Sequence, residues 1–278
     1  MATQEKKEVP APEVKPIGPP KSTFREYFES FVVTLIMAIF GMTFIVQAVT
    51  VPTGSMQNTI LVGDYLLVNK FIFTPGGYEL PFLPQREIER GDIIVFKYPG
   101  NKLHPEKDLA HGSSAIPYQV NYVKRVIGLP GETIEFRDNQ VFINGQLLPE
   151  RRLIGDADDG VSALETSEFE AKREGENYNV YYSPRTMESV KSGQKFRDRG
   201  FEFGVAGKPS VVPPNSFFVM GDSRDNSEDG RVWGFVPRDL IIGRAMFVYW
   251  SCDRGASDGS TFGCLTHPRL DRIFKAVK

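Results

Sequence analysis

The chain has 278 residues, a formal net charge of −2 and three histidines, length enough for one or two domains with a sizeable core. So even a charge balance leaves no basic surface for nucleic acid. Two cysteines without a Cys-x-x-Cys pair, beside histidines at no ligand spacing, offer no metal site. The 26 Gly, 20 Pro, 21 Phe and 10 Tyr favour short strands joined by tight turns.

Residues 1–29 are rich in Pro, Glu and Lys and have the composition of a disordered tail. Phe31 to Val51 then reads FVVTLIMAIFGMTFIVQAVTV, 21 residues without a charge. A helix of that length spans roughly 30 Å, the depth of a bilayer core. One transmembrane helix is therefore expected over 30–51. A cleaved signal peptide would have a shorter apolar region, about 7–15 residues, and an A-x-A-like site after it. VQAVTVPTG contains none. Lys6, Lys7, Lys15, Lys21 and Arg25 precede the span, and the next basic residue after it is Lys70. That asymmetry places the tail in the cytoplasm and the rest on the extracytoplasmic face of the membrane.

Beyond Val51 the patterns are those of strands. DYLLVNKFIF is apolar and β-prone, and RGDIIVFKYP sets a Gly-Asp turn before Ile93 to Tyr98. VNYVKRVIGLPGETIEF ends one strand at a Leu-Pro-Gly-Glu turn and starts another. Asn144-Gly145 between the apolar arms of QVFINGQLL predicts a tight hairpin. Ser216 to Met220 and LIIGRAMFVYW complete the set. No long helices alternate with these strands, which argues against a parallel sheet. The expected class is mostly β, an antiparallel sheet or partial barrel. Its core would comprise 52–149 and 206–278. Residues 150–205, rich in charge and Gly, would be an inserted cap.

Hydrolytic chemistry here needs a nucleophile and a base. None of His104, His111 and His267 lies in a recognisable catalytic context, His111 being in a loop-like string and His267 near the tail, so a Ser-His-Asp triad has little support. Ser55 differs: Pro52 restricts the backbone and Gly54 lets it turn tightly, so the serine is presented on a constrained turn just past the span. By itself Gly-Ser is an ordinary turn. The second piece is YVKRVIGLPGE. Neighbouring side chains of a strand point to opposite faces, so one of Lys124 and Arg125 must point inward. A lysine on a buried face loses hydration, its pKa falls, and the neutral amine can take a proton from a hydroxyl. The competing reading is an ordinary lysine at a strand edge. The third piece, GDSRDNSEDGRVWGFV, is a dense polar loop from Asp222 to Arg231. DNSEDG opens like a calcium loop, but its twelfth position is Val236 rather than Glu. A solvated turn and a buried Asp–Arg network that stiffens a site both remain open. Ser192-Gly-Gln-Lys195 matches an S-x-x-K pattern, yet it overlaps Lys191-Ser-Gly where two separate elements are needed, so the match is chance.

Four blocks stand in one order: PTGSMQNTILVGD, RGDIIVFKYP, YVKRVIGLPGE and GDSRDNSEDGRVWGFVP. In these the sequence resembles the bacterial type I signal peptidases. The resemblance implies a membrane-anchored serine endopeptidase that removes signal peptides from exported pre-proteins, with no cofactor. Ser55 would be the nucleophile and Lys124 its base. Thr53, where many members have Ser, would complete an oxyanion hole with the Ser55 N–H. Ser227 would orient the Lys124 amine, and Asp222, Arg224, Asp229 and Arg231 would brace the site. Val49, Val51, Pro52, Met56, Ile60, Leu66, Tyr122 and Val123 would line pockets for small residues at the −1 and −3 positions of the substrate. The family's β-rich cap would correspond to 150–205. Implied partners are signal peptides, the lipid bilayer and the translocation channel. Some members have two N-terminal membrane segments where this chain shows one. The family's disulfide cannot be aligned with Cys252 and Cys264, whose pairing stays open between one disulfide and two buried thiols. Two other readings share these features in part: an inert anchored β domain that binds an exported partner, and a self-cleaving Ser-Lys repressor, a soluble class that the apolar span argues against.

Overall fold

A computed structural model describes residues 22–73, 85–110, 116–155, 161–163, 165–192, 200–256 and 261–278. The first unit, up to Gly41, is dominated by helix α1, Thr23–Phe40. Ser22 caps it, its hydroxyl accepting from the Arg25 N–H, and Arg25 pairs with Glu29 one turn on at 2.9 Å. None of its residues is buried, and a π-type turn continues it over Gly41–Ile45. Thr23–Ile45 is long and apolar enough to cross a membrane. The helical stretch thus begins and ends earlier than the expected 30–51. Val46–Thr50 leaves the helix as strand β1. Two valines and a threonine stiffen that segment at χ1, and β1 gains a ladder of five residue pairs with the strand after the Ser55 loop, from Val46 against Asn69 to Thr50 against Tyr65.

The remaining described strands are β2 (Asp64–Asn69), β3 (Ile93–Lys97), β4 (Asn121–Gly128), β5 (Thr133–Arg137), β6 (Gln140–Ile143), β7 (Gln146–Leu147), β8 (Arg151–Gly155), β9 (Thr166–Glu168), β10 (Asn179–Tyr182), β11 (Ser210–Val211), β12 (Ser216–Met220), β13 (Phe235–Pro237) and β14 (Ile241–Ser251). Short helices α2 (Pro105–Ala110), α3 (Pro184–Lys191), α4 (Gly230–Trp233) and α5 (Thr261–Thr266) lie between or after them. The main sheet runs β1-β2-β14-β3-β4-β12-β13, and every pair in it is antiparallel. Register shifts along β14 and in β12 mark irregularities of the kind that bend and twist strands, as a curled, partly closed sheet requires. A second sheet is β11-β5-β6-β7, with Asn144 and Gly145 both at positive φ in the tight turn between β6 and β7.

The third sheet, β10-β8-β9, lies in the charged stretch after Glu150 and includes a parallel pair, β8 with β10. That pair lies in the stretch 150–205, outside the core for which antiparallel pairing was expected. The chain between β8 and β10 is long enough to return in the same direction, which a hairpin cannot do.

β3 shows how the core divides. Its alternating side chains feed two clusters, Ile94 and Phe96 packing with Trp233 and Val126, and Ile93 and Val95 with Leu66, Met56 and Ile60. Cys252 and Cys264 are bonded, with Cα atoms 5.1 Å apart, and both are buried. The bridge fastens α5 to the end of β14.

Candidate active site

The loop from Val51 to Asp64 is closed at its base by two backbone hydrogen bonds. The Val51 N–H donates to Asp64 O at 3.1 Å and the Gly63 N–H to Val51 O at 3.4 Å. Gly63 has φ +92°, and a Cβ there would meet the Cys252 carbonyl oxygen at 2.3 Å, so only glycine fits. Asp64 is wholly buried. Its carboxylate accepts from the Leu61 N–H at 2.8 Å, the Ser251 hydroxyl at 2.7 Å and Arg272 at 2.6 Å. Within this loop a single 3-10 turn, Gly54–Met56, carries Ser55.

Strand β4 supplies Lys124. It lies between β3 and β12 rather than at the sheet edge. Both Lys124 and Arg125 are buried, at 4% and 2% exposure, so the expectation that one of the pair points inward is too weak. An interior strand covered on both faces buries both. Lys124 Nζ stands 2.6 Å from Ser55 Oγ, and Ser55 is itself 7% exposed. Burial lowers the Lys124 pKa from 10.5 to about 8, against the opposing charges of Asp229, Glu228 and Asp222. Arg125 takes the other face and grips Asp222 through two contacts of 2.7 Å.

The polar loop after β12 encloses this pair as a buried network. Asp229 caps α4 and is held by Arg231 at 2.8 Å, by the Gly221 N–H at 3.0 Å and by the Ser227 hydroxyl at 2.8 Å. Burial pushes the Asp229 carboxyl up, but Arg231 and these donors outweigh it and hold the group below its ordinary value. Arg231 also donates to the Arg224 carbonyl at 2.9 Å. Arg224 pairs with Glu150, which also receives the Tyr178 hydroxyl at 2.8 Å. Strand β10 ties in directly: the Tyr181 N–H donates to Asp222 O and the Arg224 N–H to Tyr181 O. The loop then reaches the serine, the Ser223 N–H donating to Ser55 O at 3.1 Å and Thr59 Oγ1 to Asp222 Oδ2 at 2.6 Å.

Asp222, Arg224, Asp229 and Arg231 are thus gathered around Ser55 and Lys124. The Ser227 hydroxyl donates to Asp229, and Ser227 lines the same cavity as Lys124. A cavity of about 570 Å³ opens beside the pair, lined by Val51, Pro52, Thr53, Met56, Tyr122 and Val123 among others. Val49, Ile60 and Leu66 were expected there and do not line it. They lie in the core cluster beneath. Alternation explains Leu66, which occupies the inward face of β2 with Asp64 and Val68. Ile60 is folded inward because its N–H closes a turn onto the Met56 carbonyl at 2.7 Å. Sequence reading did not assign the lining residues Val120, Asn121, Asp225, Asn226 and Glu228, nor the bracing roles of Arg125, Glu150, Tyr178 and Thr59. The last three carry no local signal. The neighbours of Lys124 and the rest of the polar loop were within reach of it.

His104 sits between Glu106 and Glu202 at 2.9 and 3.1 Å, and His267 is exposed. Neither lines the cavity. His111 lies outside the described residues. Ser192 ends α3, its hydroxyl donating to Ser189 O at 3.0 Å, and the Gly193 to Lys195 part of the S-x-x-K match is not described.

A hydroxyl against a desolvated amine, at the side of a cavity in a β domain, is the equipment of a serine peptidase that works without histidine. The family model described as signal peptidase, peptidase S26, matches residues 24–250. A signal peptidase I of Pseudomonas fluorescens is 32% identical over 248 residues, covering 81% of this chain and 72% of its own. One from Aquifex aeolicus is 32% identical over 248 residues, covering 82% and 84%, and one from Rickettsia typhi 32% over 242 residues, covering 82% and 81%. A solved signal peptidase I from Enterococcus faecalis is 26% identical, covering 57% of this chain and 97% of its own, at a TM-score of 0.27, too low to bear on the fold. The chain belongs to the signal peptidase family, peptidase S26. It is a serine peptidase that removes signal peptides, and its N-terminal apolar helix fits a membrane-anchored enzyme.

Proposed function

We propose that this peptidase cleaves secretory pre-proteins through a Ser55–Lys124 dyad. The neutral Lys124 amine takes the Ser55 hydroxyl proton as Oγ bonds to the carbonyl carbon of the −1 residue. The resulting ammonium returns that proton to the leaving amine as the C–N bond breaks. Water, deprotonated by the same amine, then releases the acyl-enzyme. Thr53 Oγ1 and the Ser55 N–H would hold the oxyanion. Val51, Pro52, Met56, Tyr122 and Val123 would accept the small −1 and −3 side chains. Asp222, Arg224, Ser227, Asp229 and Arg231 would keep the lysine and serine in register. The 2.6 Å contact between a buried amine and a hydroxyl carries this reading.

The same reading gives a single-pass protein of the plasma membrane. The basic tail stays cytoplasmic and the β domain lies on the periplasmic or extracytoplasmic face. Signal peptides are helices in the bilayer whose cleavage site emerges at its surface. A nucleophile ten residues beyond Ile45 in the chain suits that depth. The bilayer and the translocation channel are the partners this implies, and residues 150–205 would act as the cap. Ser55→Ala and Lys124→Ala should each abolish pre-protein cleavage while the melting curve of the domain persists. Full activity in either purified variant would refute the dyad.

A further inference from the structure

The proposed reaction leaves two charged side chains of the cleft, Asp225 and Glu228, without a role. Among the described residues, three charged ones line the cavity, Lys124, Asp225 and Glu228, and no arginine does. Lys124 forms the buried floor, and Asp225 is engaged by the Ser183 N–H at 2.8 Å. Glu228 is the exposed carboxylate of the three. Its neighbours on both sides are tied together, the Ser227 hydroxyl donating to the carboxylate of Asp229, which is wholly buried as the cap of α4. Its charge is felt along the wall of the cleft. Burial comes first in raising Tyr122 to about 12, and Glu228 follows it; Lys124 feels the same carboxylate.

Resting on the reading of this cavity as the substrate cleft, we propose that Glu228 is a specificity residue. It makes the enzyme favour basic over acidic side chains in the stretch of substrate that crosses the loop at residues 225–228. Val51, Pro52, Met56, Tyr122 and Val123 form a low-dielectric side of the cleft, which focuses the field of such a charge on whatever occupies it. Placing a like charge beside it is costly, whereas a cation gains.

The experiment uses the full chain in detergent and signal-peptide substrates that differ only by Lys, Gln or Glu at single positions flanking the scissile bond, sparing −1 and −3. The readout is the ratio of kcat/KM for Lys to that for Glu at each position, at low and high salt. The expected ratio in the native enzyme is roughly three- to tenfold at one or two adjacent positions, the size of one charge contact across a partly wet cleft. It should shrink in salt, fall towards one in Glu228→Gln and invert in Glu228→Lys. The ratio is taken within each variant, so a general loss of rate does not disturb it, and Glu228→Gln decides alone if the Lys variant does not fold. An unchanged ratio in Glu228→Gln would overturn the proposal and leave the cleft assignment standing. Cleavage surviving Ser55→Ala would overturn the cleft assignment and the proposal with it.

Discussion

Titrating Lys124 should move the rate of the enzyme through a range set by how deeply the amine is buried. Only the neutral amine can accept the Ser55 proton, so kcat/KM should follow its neutral fraction. Burial brings the pKa from 10.5 to about 8. The neutral fraction is then about one tenth at pH 7, one half at pH 8 and nine tenths at pH 9. Raising the pH from 7 to 9 should increase kcat/KM about tenfold and reach a plateau. A lysine at its ordinary value would instead give about a hundredfold rise over the same interval with no plateau. Glu228→Gln provides the second perturbation. Removing a charge that raises the amine should move the midpoint to lower pH. The assay is kcat/KM for a fluorogenic signal peptide without groups that titrate in this range, with Ser55→Ala as the blank. A flat profile down to acidic pH, a hundredfold rise without a plateau, or a midpoint that moves upward in Glu228→Gln would each refute the reasoning.

The same buried charge has a cost in stability. The unfolded chain binds a proton at Lys124 up to about pH 10.5 and the folded one only up to about pH 8. The penalty is therefore full below pH 8 and vanishes as the pH rises to 10.5, and it amounts to about 3 kcal/mol. Lys124→Met should be inactive yet about 1–3 kcal/mol more stable at pH 7, with the gain fading across that window in denaturant titrations. Gly221→Ala would place a Cβ 2.3 Å from Ser227 Oγ and 2.5 Å from Ser55 O. Displacing the nucleophile by a fraction of an ångström to an ångström should lower kcat about a hundredfold, with near-native circular dichroism. Replacing Cys252 and Cys264 by Ser opens a loop with a sequence separation of 12 and should cost about 3 kcal/mol. Reductant should lower the melting temperature of the native chain and leave that variant unaffected.

Much of the site was legible locally. An uncharged apolar run, an Asn-Gly turn between apolar arms and a lysine inside an apolar strand are all properties of near neighbours in the chain. They pointed to an apolar helix that overlaps α1, to the turn between β6 and β7, and to Lys124 on an inward strand face. They did not locate the point where the helix gives way. Val46–Thr50 is apolar enough for either environment, and its pairing with β2 across the Ser55 loop decided for a strand. Nor did they separate Val51 and Met56, which line the cavity, from Ile60 and Leu66 beneath it. All four are apolar, and only the closed loop and the pleat of β2 sort them. Cys252 and Cys264 could have been a bridge or two thiols until α5 brought them together.

The sequence by itself determined which groups were available: one serine on a tight turn, one lysine in a buried strand and a loop dense in Asp and Arg. The tertiary structure alone decided which of them touch. Ser55 and Lys124 lie 69 residues apart in the chain, and Glu150 reaches Arg224 across 74. A contact of that separation depends on the packing of every strand between its partners, and no local pattern of residues encodes it.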